Sequence, residues 1–403
     1  MPHKRKRHFL DLFKQILSFA PIAGLFGHRQ VGKSTFLKDH LENYVTLDSE
    51  EDALKIKKSP AQFIKSIKKF PVAINECQSE PRLFPALKNH LLTNKRPGQF
   101  ILSGSVRFTS HKSTRESLAG RMTQIEILPF SAAEIESRPL PKTIPQILGL
   151  KKFDQNLIEL VNQGAVFGQM QKAWAKYLER GGLPGILFIR EEKLRISALQ
   201  SLLHLMLDRD LRMVISTRLS LEAMVKFLSL IAQNTFQDYN FTEMARKTGL
   251  TPKTQKNLLF GMESIFLLRR INHMTGSAFS YLLEDQLEEK FLSEGQLDGQ
   301  AAALSAFYRN IRSQFTYRLG ESAHFSSYQT RSGAKIPLVV ATGEKMLGFR
   351  VLKEGLMSLS EKRAADSFLR NYPEGRIIFL SLEKTKIEIL DTRIIVCHPA
   401  HLI

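Results

Sequence analysis

The sequence predicts an α/β fold that opens with a mainly parallel sheet, and three observations predict it. Short apolar runs alternate with segments of helical spacing through the first 135 residues. A glycine-containing turn, Gly27–Ser34, joins one of those runs to one of those helices. Further on, the pattern turns helical and then mixed, so more domains follow the first. A chain of 403 residues has room for two to four domains at roughly 150 residues each.

The elements can be taken in order. Met1–His8 is a basic lead-in to a helix over Phe9–Phe19. Pro21–Phe26 is an uncharged apolar run and reads as a buried strand, with Lys33–Leu41 as the helix behind it. Tyr44–Leu47 and Val72–Ile74 are further short strands, and Ala61–Lys69 and Leu83–Leu92 have helical spacing. Phe100–Ser103 and Gln124–Leu128 complete the set. Strands separated by helices need crossover connections, which make parallel neighbours. From Ser131 to Ile215 the pattern is helical, clearest at Leu157–Val161, Met170–Leu178 and Leu194–Met213, with a turn at Arg180–Gly185. Leu219–Gln237 is another helix. Phe241–Thr248, Gly249–Pro252 and Lys253–Ile265 then read as helix, turn and helix, and Phe266–Asn272 as the first strand of a wing. Ser277–Ile403 mixes helices with strands near Ala323–Gln329, Ile336–Ala341, Met346–Val351, Arg376–Leu380 and Ile387–Leu390.

Composition narrows the class. Apolar residues make up 43% and charged residues 24%, which suits a globular protein with real cores. Cys77 and Cys397 have no framework or metal-ligand spacing, as expected in a reducing compartment. No run is long and apolar enough to span a bilayer, and the basic start lacks a continuous apolar segment and a cleavage site. A cytoplasmic location without membrane partners is therefore expected. Lys and Arg number 58 against 39 Asp and Glu, a formal charge of +19. A field of that sign attracts polyanions, and nucleic acid is the commonest of these in cytoplasm; scattered charge serving solubility is the bland alternative.

The strongest chemical signal is Gly27-His28-Arg29-Gln30-Val31-Gly32-Lys33-Ser34, which fits G-x-x-x-x-G-K-[ST] at every fixed position and is followed by Thr35. Gly27 and Gly32 let the backbone turn with positive φ and approach a phosphate closely. The loop N–H groups and the start of the next helix make an anion-sized hollow. Lys33 supplies charge to the outer phosphates and Ser34 a hydroxyl to magnesium, so ATP with Mg2+ is the expected ligand. His28 and Arg29 are expected to contribute mainly backbone.

A second strand ends at Asn75-Glu76. Glu76 is placed to act as general base toward an attacking water. Asn75 stands where a carboxylate would hold the magnesium shell; its amide accepts a hydrogen bond but brings no charge. Loss of such a partner costs about ten- to a hundred-fold in metal affinity or activity, so slow hydrolysis is expected. Ser103 and Ser105 end a third strand, suited to reading the γ-phosphate, and Arg121 could bring positive charge to the transition state from its own subunit or across an interface. Asp48 lies near the nucleotide or closes a turn, and the turn is the preferred reading. Cys77 reads as a packed apolar residue.

These segments together resemble a prokaryotic family of AAA+-type ATPases with a C-terminal domain of unassigned function. The resemblance is carried by residues 27–34, Tyr-Val-Thr-Leu-Asp (44–48), Ile-Asn-Glu-Cys-Gln (74–78) and Pro81–Lys88. Phe100–Ser105, Ser117–Arg121, Leu128–Ser131, Tyr177–Pro184 and Asp208-Arg-Asp-Leu211 continue it; it is looser beyond about residue 270. It implies a P-loop NTPase core (1–130), a helical lid (131–215), a winged helix (216–275) and a terminal α/β domain resembling PD-(D/E)xK nucleases (276–403). The chain departs from the family pattern at Asn75, where aspartate is usual. In the terminal domain Pro337 stands at the aspartate position, and Arg350 or Val351 at the glutamate position. A metal-dependent nuclease needs clustered carboxylates, so nuclease activity is not expected.

The helix-turn-helix is the candidate DNA reader. Phe241, Met244 and Ala245 face inward, Gly249 makes the turn and Thr251-Pro252 starts the second helix. Lys253, Thr254 and Lys256 stand at the exposed start of that helix, where base and phosphate contacts arise, and Arg269 and Arg270 on the wing could touch phosphate. The bland alternative is a domain that only joins its neighbours. The expected function is a slow ATP-driven switch acting on double-stranded DNA, on a protein partner or through self-association. The alternative is a nucleotide-gated binding protein without turnover.

Overall fold

In the computed structural model, which describes residues 5–107, 118–162, 167–320 and 322–403, the first sheet consists of β1 (Ile22–Gly27), β2 (Asn43–Thr46), β3 (Val72–Asn75), β4 (Phe100–Gly104) and β5 (Met122–Ile127). All its neighbours are parallel, in the order β2-β3-β4-β1-β5. The inner strands β1, β3 and β4 are buried along their whole length because helices cover both faces. Helices Leu10–Phe19 and Lys33–His40 pack Phe13, Ile16, Phe36 and Leu37 on one face. Helices Glu50–Lys58, Pro60–Ser66 and Leu83–Thr93 pack Ile56, Ile64, Leu87 and Leu91 on the other. Helix Glu50–Lys58 is absent from the sequence reading. Ser49 caps it by accepting from the Asp52 N–H, with acids in its first turn and lysines in its last.

The second sheet runs β12-β13-β11-β10-β9-β8-β6-β7. Its strands are β6 (Leu268–His273), β7 (Phe279–Leu283), β8 (His324–Gln329), β9 (Lys335–Thr342), β10 (Lys345–Val351), β11 (Gly375–Leu380), β12 (Glu388–Asp391) and β13 (Ile394–Cys397). β8, β9 and β10 form an antiparallel meander, and helix Leu359–Asn371 crosses over to β11, parallel to β10. Helix Gly299–Thr316 covers the opposite face. β7 and β13 were not read from the sequence.

The segment expected to be one helical lid is divided between two cores. Ile144, Ile147, Leu157, Trp174 and Tyr177 pack with Phe307, Ile311, Leu338 and Ile378 of the terminal region. Leu183, Ile186, Leu199, Leu203 and Leu211 pack instead with Leu25, Phe36 and Leu37 around the phosphate loop. Helix Phe167–Arg180 carries its stripe at Met170, Ala173, Trp174 and Tyr177. Spacing reveals such a stripe but not the surface it will meet.

The segment expected to begin a wing also has a different setting. β6, at the expected first strand, forms a hairpin with β7, but β6 also pairs in parallel with β8 through Asn272↔Ser326, so the hairpin is the end of the terminal sheet. Helices Phe241–Thr248 and Pro252–Ser264 stand beside it; Gly249 closes the first at φ 72 and Thr251 caps the second. Among the described residues, no helix is long and apolar enough to cross a membrane.

Candidate phosphate-binding site

The loop leaves β1 at the carboxyl edge of the first sheet and enters helix Lys33–His40. Gly32, at φ 92, adopts the left-handed backbone expected of it. Gly27 does not; its need for glycine is steric, because a Cβ there would collide with the carbonyl oxygen of Ile127 on β5. Gln30 supplies the second left-handed residue, at φ 62. Lys33 is buried, and its Nζ donates to the carbonyl oxygens of Gly27 and His28, both at 2.9 Å. Burial lowers its pKa to about 8, with the Glu76 carboxylate opposing the fall.

Asn75 and Glu76 end β3, which β4 separates from the loop strand β1. Asn75 Oδ1 accepts from Ser34 Oγ at 3.3 Å and from Ser103 Oγ at 2.7 Å, while its Nδ2 donates to Thr46 Oγ1 at 3.2 Å. With its proton turned to Asn75, Ser34 keeps its lone pairs for a cation. This neutral oxygen set suits a hard metal that retains waters and takes most of its charge compensation from phosphate. Glu76 is held at φ 55, a left-handed conformation uncommon outside glycine. Gln78 Nε2 donates to Glu76 Oε2 at 2.5 Å, and Ser105 Oγ donates to the same oxygen at 3.4 Å. Gln78 was part of the sequence resemblance but had been given no role. Its position two residues after a strand-end carboxylate was the available signal.

A cleft of about 870 Å³ opens over the loop. Its walls include Arg29, Gln30, Gly32–Thr35, Asp48 and Glu76, so Asp48 stands at the cleft rather than only closing a turn. Other parts of the wall come from residues to which the sequence gave no role in the site: Arg5–Arg7, Phe130, Pro184, Gly185 and Phe188. Arg7 fixes that wall. Its guanidinium donates to Glu134 Oε1 at 3.0 Å and to the carbonyl oxygens of Val31 at 2.6 Å and Leu128 at 2.7 Å, over the Phe130 ring.

The side chains of His28 and Arg29, expected to matter less than their backbone, are both anchored. Arg29 donates to both oxygens of Asp210, at 2.9 and 3.3 Å, and Asp210 lies in a five-residue π-helical turn, Met206–Asp210. Arg209 of the same turn reaches Asp48 at 3.8 Å. His28 Nε2 lies 3.0 Å from Glu288 Oε1, both groups fully buried.

Other expected residues separate into those the fold gathers and those it does not. Arg121 precedes β5 at the Ile22 end of the sheet, five strand residues from Gly27, or about 17 Å. It cannot reach phosphates in its own subunit. Arg269 points into a partly buried ion cluster instead of toward a duplex. It pairs with Glu126 and with Glu284 at 3.4 Å, while Arg312 bridges the same two carboxylates at 2.9 and 2.7 Å. Burial opposes ionisation of Glu126, yet Arg269, Arg107 and Arg312 outweigh it and hold that carboxyl far below its ordinary range. Arg270 lies 3.8 Å over the Phe279 ring. Lys253 and Lys256 are exposed on the second helix, and Thr254 Oγ1 lies 3.0 Å from Thr251 Oγ1. In the terminal sheet, Arg350 donates to the Lys335 carbonyl oxygen at 2.8 Å and meets Glu361 at 3.4 Å. No three His, Cys, Asp or Glu among the described residues form a metal-ligand group. Cys77 is buried, and burial pushes its thiol pKa upward.

Comparison with known families and structures places these features in context. Residues 20–136 match a family described as an AAA domain, and residues 171–287 match a domain of unknown function (DUF8612). Comparison with the curated proteins gave no match. A solved structure with partial similarity is the Signal Transduction ATPase with Numerous Domains (STAND) protein with a tetratricopeptide repeat sensor from Pyrococcus horikoshii. Identity is 11% and the TM-score 0.24, over 78% of this chain and 48% of that one, so the chain spans about half of that protein's length. The loop, the parallel sheet and the family match agree that residues 20–136 form a P-loop domain of AAA type.

Proposed function

We propose that this chain is a nucleotide-driven switch that binds ATP with Mg2+ in the cleft above Gly27–Ser34 and hydrolyses it slowly. The observation that carries the reading is the meeting of Lys33, Ser34, Asn75 and Glu76 at one sheet edge, with Lys33 and Ser34 facing the cleft. Loop N–H groups and the Lys33 ammonium would hold the β- and γ-phosphates. Ser34 would bind magnesium directly and Asn75 would align its shell; the metal, when bound, neutralises phosphate charge. Glu76 would take the proton of the attacking water as the γ-phosphoryl group leaves ADP. Gln78 and Ser105 hold Oε2 of that carboxylate and would orient it, leaving Oε1 to take the proton.

The base would sit against Phe130, Pro184 and Phe188. The helix-turn-helix, through Lys253 and Lys256, is the proposed contact with double-stranded DNA, and the terminal region is the proposed contact with a protein partner or a second copy. We read the terminal region as a degenerate nuclease-like domain, because Arg350 ties β10 to the Lys335 carbonyl at the position where the family pattern would put a ligand.

The test is phosphate release with ATP and Mg2+, alongside a nucleotide titration of the wild type and Lys33→Ala. Slow release that Glu76→Gln abolishes supports the switch. Binding without release in any variant would leave a nucleotide-gated binding protein, the reading that Asn75 favours. Absence of binding would overturn both.

A further inference from the structure

The side chain of His28 lies behind the phosphate loop with an oxygen at each ring nitrogen. Nδ1 is 2.7 Å from the Arg29 carbonyl oxygen and Nε2 is 3.0 Å from Glu288 Oε1. Burial opposes a charge on the ring, but the Glu288 carboxylate and the Arg29 carbonyl oxygen outweigh it and favour the imidazolium. The Nε2–H does not point squarely at its partner, and neither Glu288 oxygen accepts a hydrogen bond among the described residues. Glu288 is thus fully buried with the imidazole of one residue of the phosphate loop as its ion-pair partner. Glu284 adds to the negative field at His28, and Lys33 of the same loop donates to the His28 carbonyl oxygen.

Glu288 belongs to a short helix, Gln286–Leu292, that is bound on two other sides. Toward the cleft, Asp285 accepts the Gly182 N–H at 2.7 Å, beside the wall residues Pro184 and Gly185. Toward the terminal region, Arg309 pairs with Glu289 at 2.6 Å and donates to Gln286 Oε1 at 2.6 Å, and Arg312 pairs with Glu284 at 2.7 Å. Both arginines lie on helix Gly299–Thr316, which backs the terminal sheet. One segment therefore meets the phosphate loop, the cleft wall and the terminal core, and it meets the loop through the His28–Glu288 ion pair.

We propose that Glu288 is a positioning residue for the nucleotide site and the point through which phosphate occupancy is transmitted to the terminal region. The proposal rests on the nucleotide-binding reading above. A phosphate group in the loop is a second anion drawing on the positive charge that His28 shares with Glu288. In a low-dielectric interior the two anions oppose each other. Nucleotide binding weakens the hold of the loop on helix Gln286–Leu292, and by reciprocity the docking of that helix affects nucleotide affinity.

The experiment is hydrogen exchange of the full chain with and without ATP and Mg2+, with binding measured by titration on the same samples. Wild type, Glu288→Gln and His28→Gln are compared. In the wild type, ATP is expected to speed amide exchange in Gln286–Leu292 and Gly299–Thr316 by about tenfold, within the usual range of inter-site coupling. In Glu288→Gln, ATP is expected to bind and leave exchange there unchanged. If ATP binds the wild type without changing exchange in either helix, the coupling is overturned and nucleotide binding stands; this arm does not depend on either variant folding. If the change persists undiminished in Glu288→Gln, the role of Glu288 is overturned. If ATP fails to bind the wild type, the nucleotide reading falls, and this inference with it.

Discussion

Asn75 Oδ1 receives the hydroxyl protons of both Ser34, at 3.3 Å, and Ser103, at 2.7 Å, so one neutral amide joins the phosphate loop, β3 and β4. The geometry that a metal-orienting carboxylate would need is present, and the charge is missing. Asn75→Asp should therefore raise ATP hydrolysis or magnesium affinity about ten- to a hundred-fold. Phosphate release across a magnesium titration checks this; an unchanged rate and an unchanged magnesium midpoint would show that Asn75 has no part in the metal shell.

Lys33, lowered to about 8 by burial, is partly neutral in mildly alkaline solution before any phosphate arrives. Binding an anion favours the ammonium form, so ATP binding near pH 8 should take up protons. Calorimetry in buffers of different ionisation enthalpy measures that uptake. Lys33→Arg, which stays charged, should remove it.

His28 has its pKa raised above the ordinary 6.5. Burial opposes the charge, but Glu288 and the Arg29 carbonyl oxygen outweigh it. A basic group raised in the folded state stabilises fully below its unfolded value, and that contribution is lost as pH rises through the folded one. Stability should therefore fall from pH 6 toward alkaline pH more steeply in the wild type than in Glu288→Gln, as read by denaturant unfolding. Parallel pH profiles would count against a charged pair.

Arg29 and Asp210 form a two-point ion pair at 2.9 and 3.3 Å in which Asp210 is buried. Removing one partner from such a pair costs on the order of 3 kcal/mol because the other charge is left uncompensated. Asp210→Ala should lose about that much by chemical denaturation. The double variant Arg29→Met with Asp210→Ala should recover part of it.

Lys253 and Lys256 are exposed, whereas Arg269 is tied to Glu126 and Glu284. If the helix-turn-helix holds DNA, Lys253→Ala and Lys256→Ala should each weaken binding and reduce the salt-dependence slope by about 1. Arg269→Ala should lower stability without a matching change in that slope. Fluorescence anisotropy with a labelled duplex over a salt series separates the two effects.

The phosphate loop was legible because its chemistry is local. The positions of Gly32, Lys33 and Ser34 require glycine, lysine and a hydroxyl residue wherever the loop occurs, and an apolar strand before them with a helix after them supplies the context. The same holds for Asn75 and Glu76 at the end of an apolar run and for the caps around Gly249 and Thr251. Gly27 was identified for the wrong reason, since its constraint comes from Ile127 on a strand about a hundred residues away. The setting of Arg269 among Glu126 and Glu284, and the end of the sheet that carries Arg121, were not legible, because spacing cannot say which end of a sheet a residue occupies or which carboxylates will surround it.

The sequence by itself determined the α/β character of the first sheet, the phosphate loop and the helix-turn-helix, because each depends on periodicity and residue type over a few consecutive positions. Tertiary structure alone decided the rest. It split the expected helical lid between two cores, made the β6–β7 hairpin part of an eight-stranded sheet and set Glu288 against His28. Those outcomes depend on which apolar stripe finds which partner and on charges brought together from hundreds of residues apart. Burial makes such pairs strong, and nothing in the local sequence announces them.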